Sequence, residues 1–206
     1  MMKNLFLTSS FKDVVALFTE FESNLQGKTV TFIPTASIVE EVVFYVEAGK
    51  KALEDLGLIV EELDVTTETL EEITATLKKN DFIYVTGGNT FFLLQELKRT
   101  GADKLILEEI AKGKLYIGES AGAVITSPNI SYIQSMDSVK KATNLINYDA
   151  LNLVDFSILP HYNNVPFKEV TQKIVADYAE KSTMRPISNQ EAIFVRDKEV
   201  SLKRLD

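Results

Sequence analysis

The 206-residue chain contains no cysteine and a single histidine, His161. The first absence excludes disulfides, thiolate zinc sites, iron–sulfur clusters and any thiol nucleophile. The second leaves one imidazole for all acid–base work near neutral pH, so a histidine-dependent enzyme has to use His161. Positive charge is in deficit: 22 Lys and Arg face 30 Asp and Glu, a formal net charge of -8. Nucleic acid and anionic membrane are therefore disfavoured as partners, because both repel such a chain at long range. Small molecules and peptides remain. Long apolar runs are also missing. Leu5-Phe6-Leu7, after Met1-Met2-Lys3-Asn4, is too short for a signal peptide. The charge-free stretch 121–136 is interrupted by Thr126, Ser127, Pro128, Asn129 and Gln134 and does not read as a membrane span. A cytoplasmic protein is expected.

What is present suits one globular domain over residues 1–206. With 45% hydrophobic and 25% charged residues, a chain of this length buries roughly 70% of its unfolded surface and needs no metal or disulfide staple. Short apolar runs at 5–7, 29–33, 58–63, 82–85 and 115–117 read as strands. Amphipathic stretches at 11–25, 38–56, 68–79, 91–98 and 103–111 read as helices. This alternation implies a mostly parallel sheet with helices on both faces. Further on, 154–159 reads as a strand ending at Pro160-His161, 167–181 as a helix, and 192–195 with 200–202 as a closing hairpin. In open α/β sheets active sites lie beyond the carboxyl ends of the strands, where Gly87-Gly88, 118–122 and His161 fall.

Gly118-Glu119-Ser120-Ala121-Gly122 follows a strand and opens a helix, the context in which G-x-S-x-G forms a nucleophile elbow with an exposed serine hydroxyl. The helix N-terminus also places N–H groups near a developing oxyanion. Gly87-Gly88-Asn89-Thr90 repeats the strand-to-helix context and could supply the other half of an oxyanion hole; read alone, it is a Gly-Gly turn with Asn89 or Thr90 as helix cap. Ser120 needs a base, and His161 is the one imidazole available. For the carboxylate that orients the histidine, Asp137, Asp149 and Asp155 precede it, and Glu169 and Glu191 follow. Chain order does not choose among them. No ligand-spaced cluster implies a metal, and no cofactor is expected.

Four segments together resemble the serine peptidases related to peptidase E (aspartyl dipeptidase) and, more distantly, cyanophycinase. They are Gly87 to Phe91, Gly118 to Ala123, Tyr148 to Leu153, and Leu159-Pro160-His161-Tyr162. The resemblance implies a three-layer, Rossmann-like fold of the class I glutamine amidotransferase kind. It further implies a Ser120–His161–Glu191 triad and an oxyanion hole from the Gly88 and Ala121 N–H groups. Asn89, Thr90 and Glu119 become substrate-binding candidates, a small peptide the substrate, and a monomer or small homo-oligomer the assembly. Three departures stand out. Residues 163–169 lack the arginine associated with an acidic substrate side chain, leaving Lys168 or Lys173 as stand-ins; Glu119 would repel such a side chain if it faced the pocket; and Ala192 follows Glu191 where glycine is expected. The expectation is a dipeptidase-like serine peptidase without an Asp-X assignment. The rivals are an α/β-hydrolase-type esterase, which places its histidine near the chain end and often carries a His-Gly-Gly-Gly loop, and a silent binding protein of the same fold.

Overall fold

Alternate residues of the buried strands enter cores on opposite faces, and this decides the architecture. The computed structural model describes residues 3–178, 180 and 183–205. Strands β1 (Asn4–Thr8), β2 (Thr29–Ile33), β3 (Ile59–Glu62), β4 (Phe82–Val85) and β5 (Leu115–Glu119) run parallel. Strands β6 (Ser157–Leu159) and β7 (Met184–Pro186) form a separate parallel pair, and β8 (Glu191–Arg196) and β9 (Glu199–Arg204) add antiparallel to the main sheet. The seven-stranded order is β3-β2-β4-β5-β1-β8-β9. Both ends of the chain thus meet in one sheet.

Among the described residues, seven α-helices cover it: α1 (Val15–Phe21), α2 (Phe44–Asp55), α3 (Leu70–Lys79), α4 (Thr90–Thr100), α5 (Ala102–Ala111), α6 (Ala121–Val124) and α7 (Lys168–Tyr178). On one face Phe6 and Tyr84 pack with Phe18 and Phe21 of α1 and Leu53 of α2. On the other, Leu5, Leu7, Ile83 and Val85 pack with Ile73, Leu94 and Ile106 of α3, α4 and α5. This two-residue alternation is the pleat of a strand buried on both sides. The first core is aromatic: the Phe6 ring lies 5.1 Å from Phe18 and 5.4 Å from Phe194, and Phe32 stacks on Tyr84 at 5.1 Å.

Two expected helices are shorter than their patterns suggest. Residues 11–25 split into a 3-10 turn at Lys12–Val14 and α1, which ends where Glu22 turns extended and its side chain accepts the Asn24 amide. Residues 38–43 precede α2 without joining it. Ile38, Val42 and Val43 are β-branched and exposed, so burial does not offset their low helix propensity. The helix expected over 167–181 is α7, and its expected end at Lys181 lies outside the described residues. Strand β7 was not expected. Among the described residues no helix is long and apolar enough to cross a membrane.

Candidate active site

The carboxyl ends of β4, β5 and β6 converge, and each delivers one part of the site. Beyond β5, Ser120 sits at φ 48°, ψ -108°, outside the regions open to an unstrained L-residue. The conformation is held from both sides. The Ser120 amide donates to Thr8 O at 2.9 Å, and its carbonyl accepts the Ala123 and Val124 amides at 2.9 Å each. Beyond β4, Gly88 adopts φ 131°, and a β-carbon there would stand 2.2 Å from Ala36 O, so only glycine fits this loop.

His161 follows β6 with φ 59°. Its amide donates to Ser9 Oγ at 3.0 Å, the Ser9 hydroxyl donates to Ile187 O at 3.0 Å, and the Tyr162 amide donates to the same carbonyl at 3.0 Å. The ends of β1, β6 and β7 therefore fix the histidine backbone together. Its ring stacks on Phe167 with centroids 5.0 Å apart. Nε2 lies 3.0 Å from Ser120 Oγ, and Nδ1 lies 2.7 Å from Asn189 Oδ1. An amide oxygen accepts only, so Nδ1 carries the hydrogen and Nε2 is free to accept the serine proton. Burial pushes the imidazole pKa below its ordinary value and favours the neutral ring, against the Asn189 hydrogen bond and the Asp13 charge, which raise it.

The orienting position is the main correction to the sequence reading. Glu191 does not touch His161; its Oε2 accepts the Ser188 amide at 2.7 Å and closes the turn before β8. Asn189, inside that turn, takes the place on Nδ1, and its own amide donates to Asn164 Oδ1 at 2.9 Å. Restricting the choice to carboxylates passes over Asn189, although the polar run Ser188-Asn189-Gln190 before a strand was the available signal. Asp137 is also elsewhere. Its Oδ2 accepts the Thr90 amide at 2.9 Å and the Thr90 hydroxyl at 2.5 Å, and burial pushes its pKa up to about 6. Asp149 accepts from Asn129 at 2.9 Å.

The remaining candidates are placed as follows. Asn89 caps α4, its Oδ1 accepting the Phe92 amide at 2.9 Å and its Nδ2 donating to Ser138 O at 3.2 Å. With Thr90 on Asp137, both side chains pin residues 137 and 138 to the start of α4. Glu119 points into the core, where Oε1 accepts the Phe11 amide and Oε2 the Tyr84 hydroxyl, each at 2.8 Å. It does not line the approach to Ser120, so the expected repulsion of an acidic substrate group is removed. Burial pushes its pKa up to about 7. Among the described residues no group of three or more His, Asp or Glu could hold a metal ion.

The geometry can be set beside known proteins. The chain is 84% identical over 204 residues to an uncharacterized peptidase of Listeria monocytogenes, Lmo0363, covering 99% of this chain and 100% of that one. It is 34% identical over 143 residues to a peptidase E of Salmonella arizonae, covering 69% of this chain and 59% of that one. The 1.5 Å crystal structure of a candidate peptidase E from Listeria monocytogenes superposes with a TM-score of 0.97 at 82% identity, over 100% of both chains. That match and the mostly parallel sheet agree with a class I glutamine amidotransferase-like fold. The family model "Peptidase family S51" matches residues 5–203. A match over nearly the whole chain, with relatives named as peptidases along the same length, makes this protein a serine-type peptidase of family S51.

Proposed function

We propose that the protein is a cytoplasmic, dipeptidase-like serine peptidase that works through an acyl-enzyme, with Ser120 as nucleophile, His161 as base and Asn189 as the group that orients His161. The observation that carries this reading is the 3.0 Å contact between Ser120 Oγ and His161 Nε2, made by a serine in a strained elbow conformation. As Oγ attacks the peptide carbonyl, Nε2 takes its proton and then hands it to the leaving amine. Water enters by the same base and releases the acid. The N–H groups of Gly88, in the loop after β4, and of Ala121, the first residue of α6, serve the tetrahedral oxyanion. Asn189 keeps the hydrogen on Nδ1, the role an amide also plays in Cys-His-Asn enzymes.

The small peptide substrate is supported by the likeness to peptidase E relatives. Asn164 and Asn189 border a cavity of about 530 Å³ whose wall carries one acid, Asp13, and one base, Arg204. Neither Ser120 nor His161 lines it, so it lies on the Nδ1 side of the imidazole and not on the approach to the nucleophile. The test is a fluorophosphonate probe followed by a dipeptide library. The wild-type protein should label at Ser120 and Ser120→Ala should not, with kcat on the best dipeptide falling by roughly 10³-fold or more. An unlabelled but folded wild-type protein would favour a silent binding role, and turnover surviving in Ser120→Ala would end the serine mechanism.

A further inference from the structure

The nucleophile and its base stand on different sheets. Ser120 follows β5 of the seven-stranded sheet, whereas His161 follows β6 of the small parallel pair, and Asn189 lies beyond β7 of that pair, in the turn before β8. The 3.0 Å contact between Ser120 Oγ and His161 Nε2 is therefore a distance between two sheets. Ile158, Leu159 and Ile187 of the small pair and its end share a core with Leu7 and Ile193 of the large sheet. Apolar contact is non-directional, so directional bonds are needed to fix the spacing. Thr8, the last residue of β1, and Ser9 after it supply them. In the sheet β1 lies between β5 and β8, with Thr8 in register with Glu119 on one side and Ala192 on the other. The Thr8 carbonyl accepts the Ser120 amide at 2.9 Å, and its hydroxyl donates to Glu191 O at 3.1 Å. Ser9 reaches to the small pair. Its Oγ accepts the His161 amide and donates to Ile187 O, each at 3.0 Å, and its side chain is buried.

From this arrangement we propose that Ser9 is a positioning residue: its hydroxyl ties the ends of β6 and β7 to the end of β1, and so sets the spacing between His161 and Ser120. The proposal rests on the acyl-transfer reading given above. A hydroxyl suits the place because it carries one hydrogen and two lone pairs, and here it meets one amide and one carbonyl. The two strand ends it holds are already joined to each other: the Ile187 amide donates to Leu159 O at 2.9 Å, and the Tyr162 amide to Ile187 O at 3.0 Å. Asn189, two residues after Ile187, is carried with them. His161 itself sits at φ 59°, a conformation that a residue other than glycine keeps only where its surroundings hold it. The bond from its amide to Ser9 is part of that hold. Without the hydroxyl the His161 amide has no acceptor, and the backbone that aims the ring at Ser120 and Asn189 is released.

The test sets Ser9→Ala beside Ser127→Ala. Ser127 is also buried, and its Oγ accepts the Ile158 amide at 3.1 Å, so its loss likewise leaves an amide of β6 without an acceptor while touching no residue of the site. Both variants should lower the urea midpoint. On the best dipeptide, Ser9→Ala should lower kcat by roughly 10²-fold with KM within about twofold, because a misplaced base acts in the transition state, and Ser127→Ala should stay within about threefold of wild type. The chain has one histidine, so the nitrogen shifts of its ring are read without ambiguity. At about pH 8 the wild-type protein and Ser127→Ala should hold the ring hydrogen on Nδ1, and Ser9→Ala should show a mixture of the two tautomers. A kcat loss shared equally by the two variants overturns the proposal, since Ser9 would then act only through the stability of β6. So does a Ser9→Ala ring that keeps the wild-type shifts. If Ser9→Ala does not fold, Ser9→Cys takes its place, filling the space with a group that bonds weakly, and the same outcomes decide. If the wild-type protein resists fluorophosphonate, the acyl-transfer reading fails on its own, and the ring shifts still show whether Ser9 holds His161 in place.

Discussion

In the proposed mechanism, an amide in place of a carboxylate behind His161 changes what the base can do. A carboxylate would stabilise the imidazolium by charge, whereas Asn189 fixes the tautomer with no net charge, and burial alone lowers the imidazole pKa. The neutral base therefore persists below its ordinary limit of about pH 6.5. Asn189→Asp restores the charge, so the protonated ring gains and the histidine's acid limb of kcat/KM should move up by roughly one pH unit. Asn189→Ala should cost about 10²-fold in kcat, because Nδ1–H loses its acceptor and the ring its orientation. Glu191→Ala separates the two residues. It removes only the acceptor for the Ser188 amide, so it should lower unfolding free energy by about 1 kcal/mol and leave the limb in place. A limb that moves with Glu191 and not with Asn189 would reverse the assignment. The meeting of Ser120 and His161 at 3.0 Å was legible because each sits where a strand pattern ends and only one imidazole exists. Asn189 was not, because its place depends on Asn164, which is 25 residues away in the chain and holds its amide.

At the scale of elements, the legible parts were those whose stability is local or bidirectionally buried. The cores of β1, β4 and β5 are apolar residue after residue because both faces meet a core, and α3 was legible from its amphipathic stretch, its start then set by the Thr69–Glu72 capping box. Strand β7 escaped because Met184-Arg185-Pro186 has no strand pattern of its own; it exists through pairing with β6, whose register sets Leu159 against Pro186. Residues 38–43 were over-read as helix because periodicity was counted without asking whether those side chains find a core. The elbow is closely packed against its neighbouring strand. A β-carbon at Gly122 would stand 2.2 Å from Val85 O, backbone that β4 cannot yield without disturbing the sheet. Gly122→Ala should therefore lower unfolding free energy by about 3 kcal/mol or more and abolish probe labelling. Gly27→Ala is the control. Its φ of 74° is strained for alanine, but nothing lies within 4 Å, so about 1 kcal/mol is expected and labelling should survive. Equal losses in a urea melt of the two variants would show that close packing at the elbow is not what excludes a side chain.

Across the whole molecule, the burial of acid and base near the site makes stability itself depend on pH, with a sign that can be worked out. Glu119 and Asp137 have raised pKa values, about 7 and about 6, so between the ordinary carboxylate range and those values the folded protein binds protons that the unfolded chain has released. Stability contributed this way is present at low pH and is lost as pH rises toward 7. His161 works the other way. Its lowered pKa means the unfolded chain takes up a proton first as pH falls through about 6.5, which costs stability on the acid side. Two carboxylates outweigh one imidazole between roughly pH 5 and 6.5, leaving a net difference of about one proton, or about 1 kcal/mol per pH unit. Relief of self-repulsion in a chain of net charge -8 has the same sign. Below about pH 4 the trend reverses, because Asp81, Glu61 and Glu109, held down by hydrogen bonds and ion pairs, begin to protonate. The urea midpoint should therefore be higher at pH 5.5 than at pH 8. In the double variant Glu119→Gln, Asp137→Asn only the histidine contribution remains of the three, so the slope between pH 5.5 and 6.5 should flatten or change sign. A wild-type midpoint that is equal at both pH values, or higher at pH 8, would mean that the two carboxylates ionise without cost and are hydrated rather than buried.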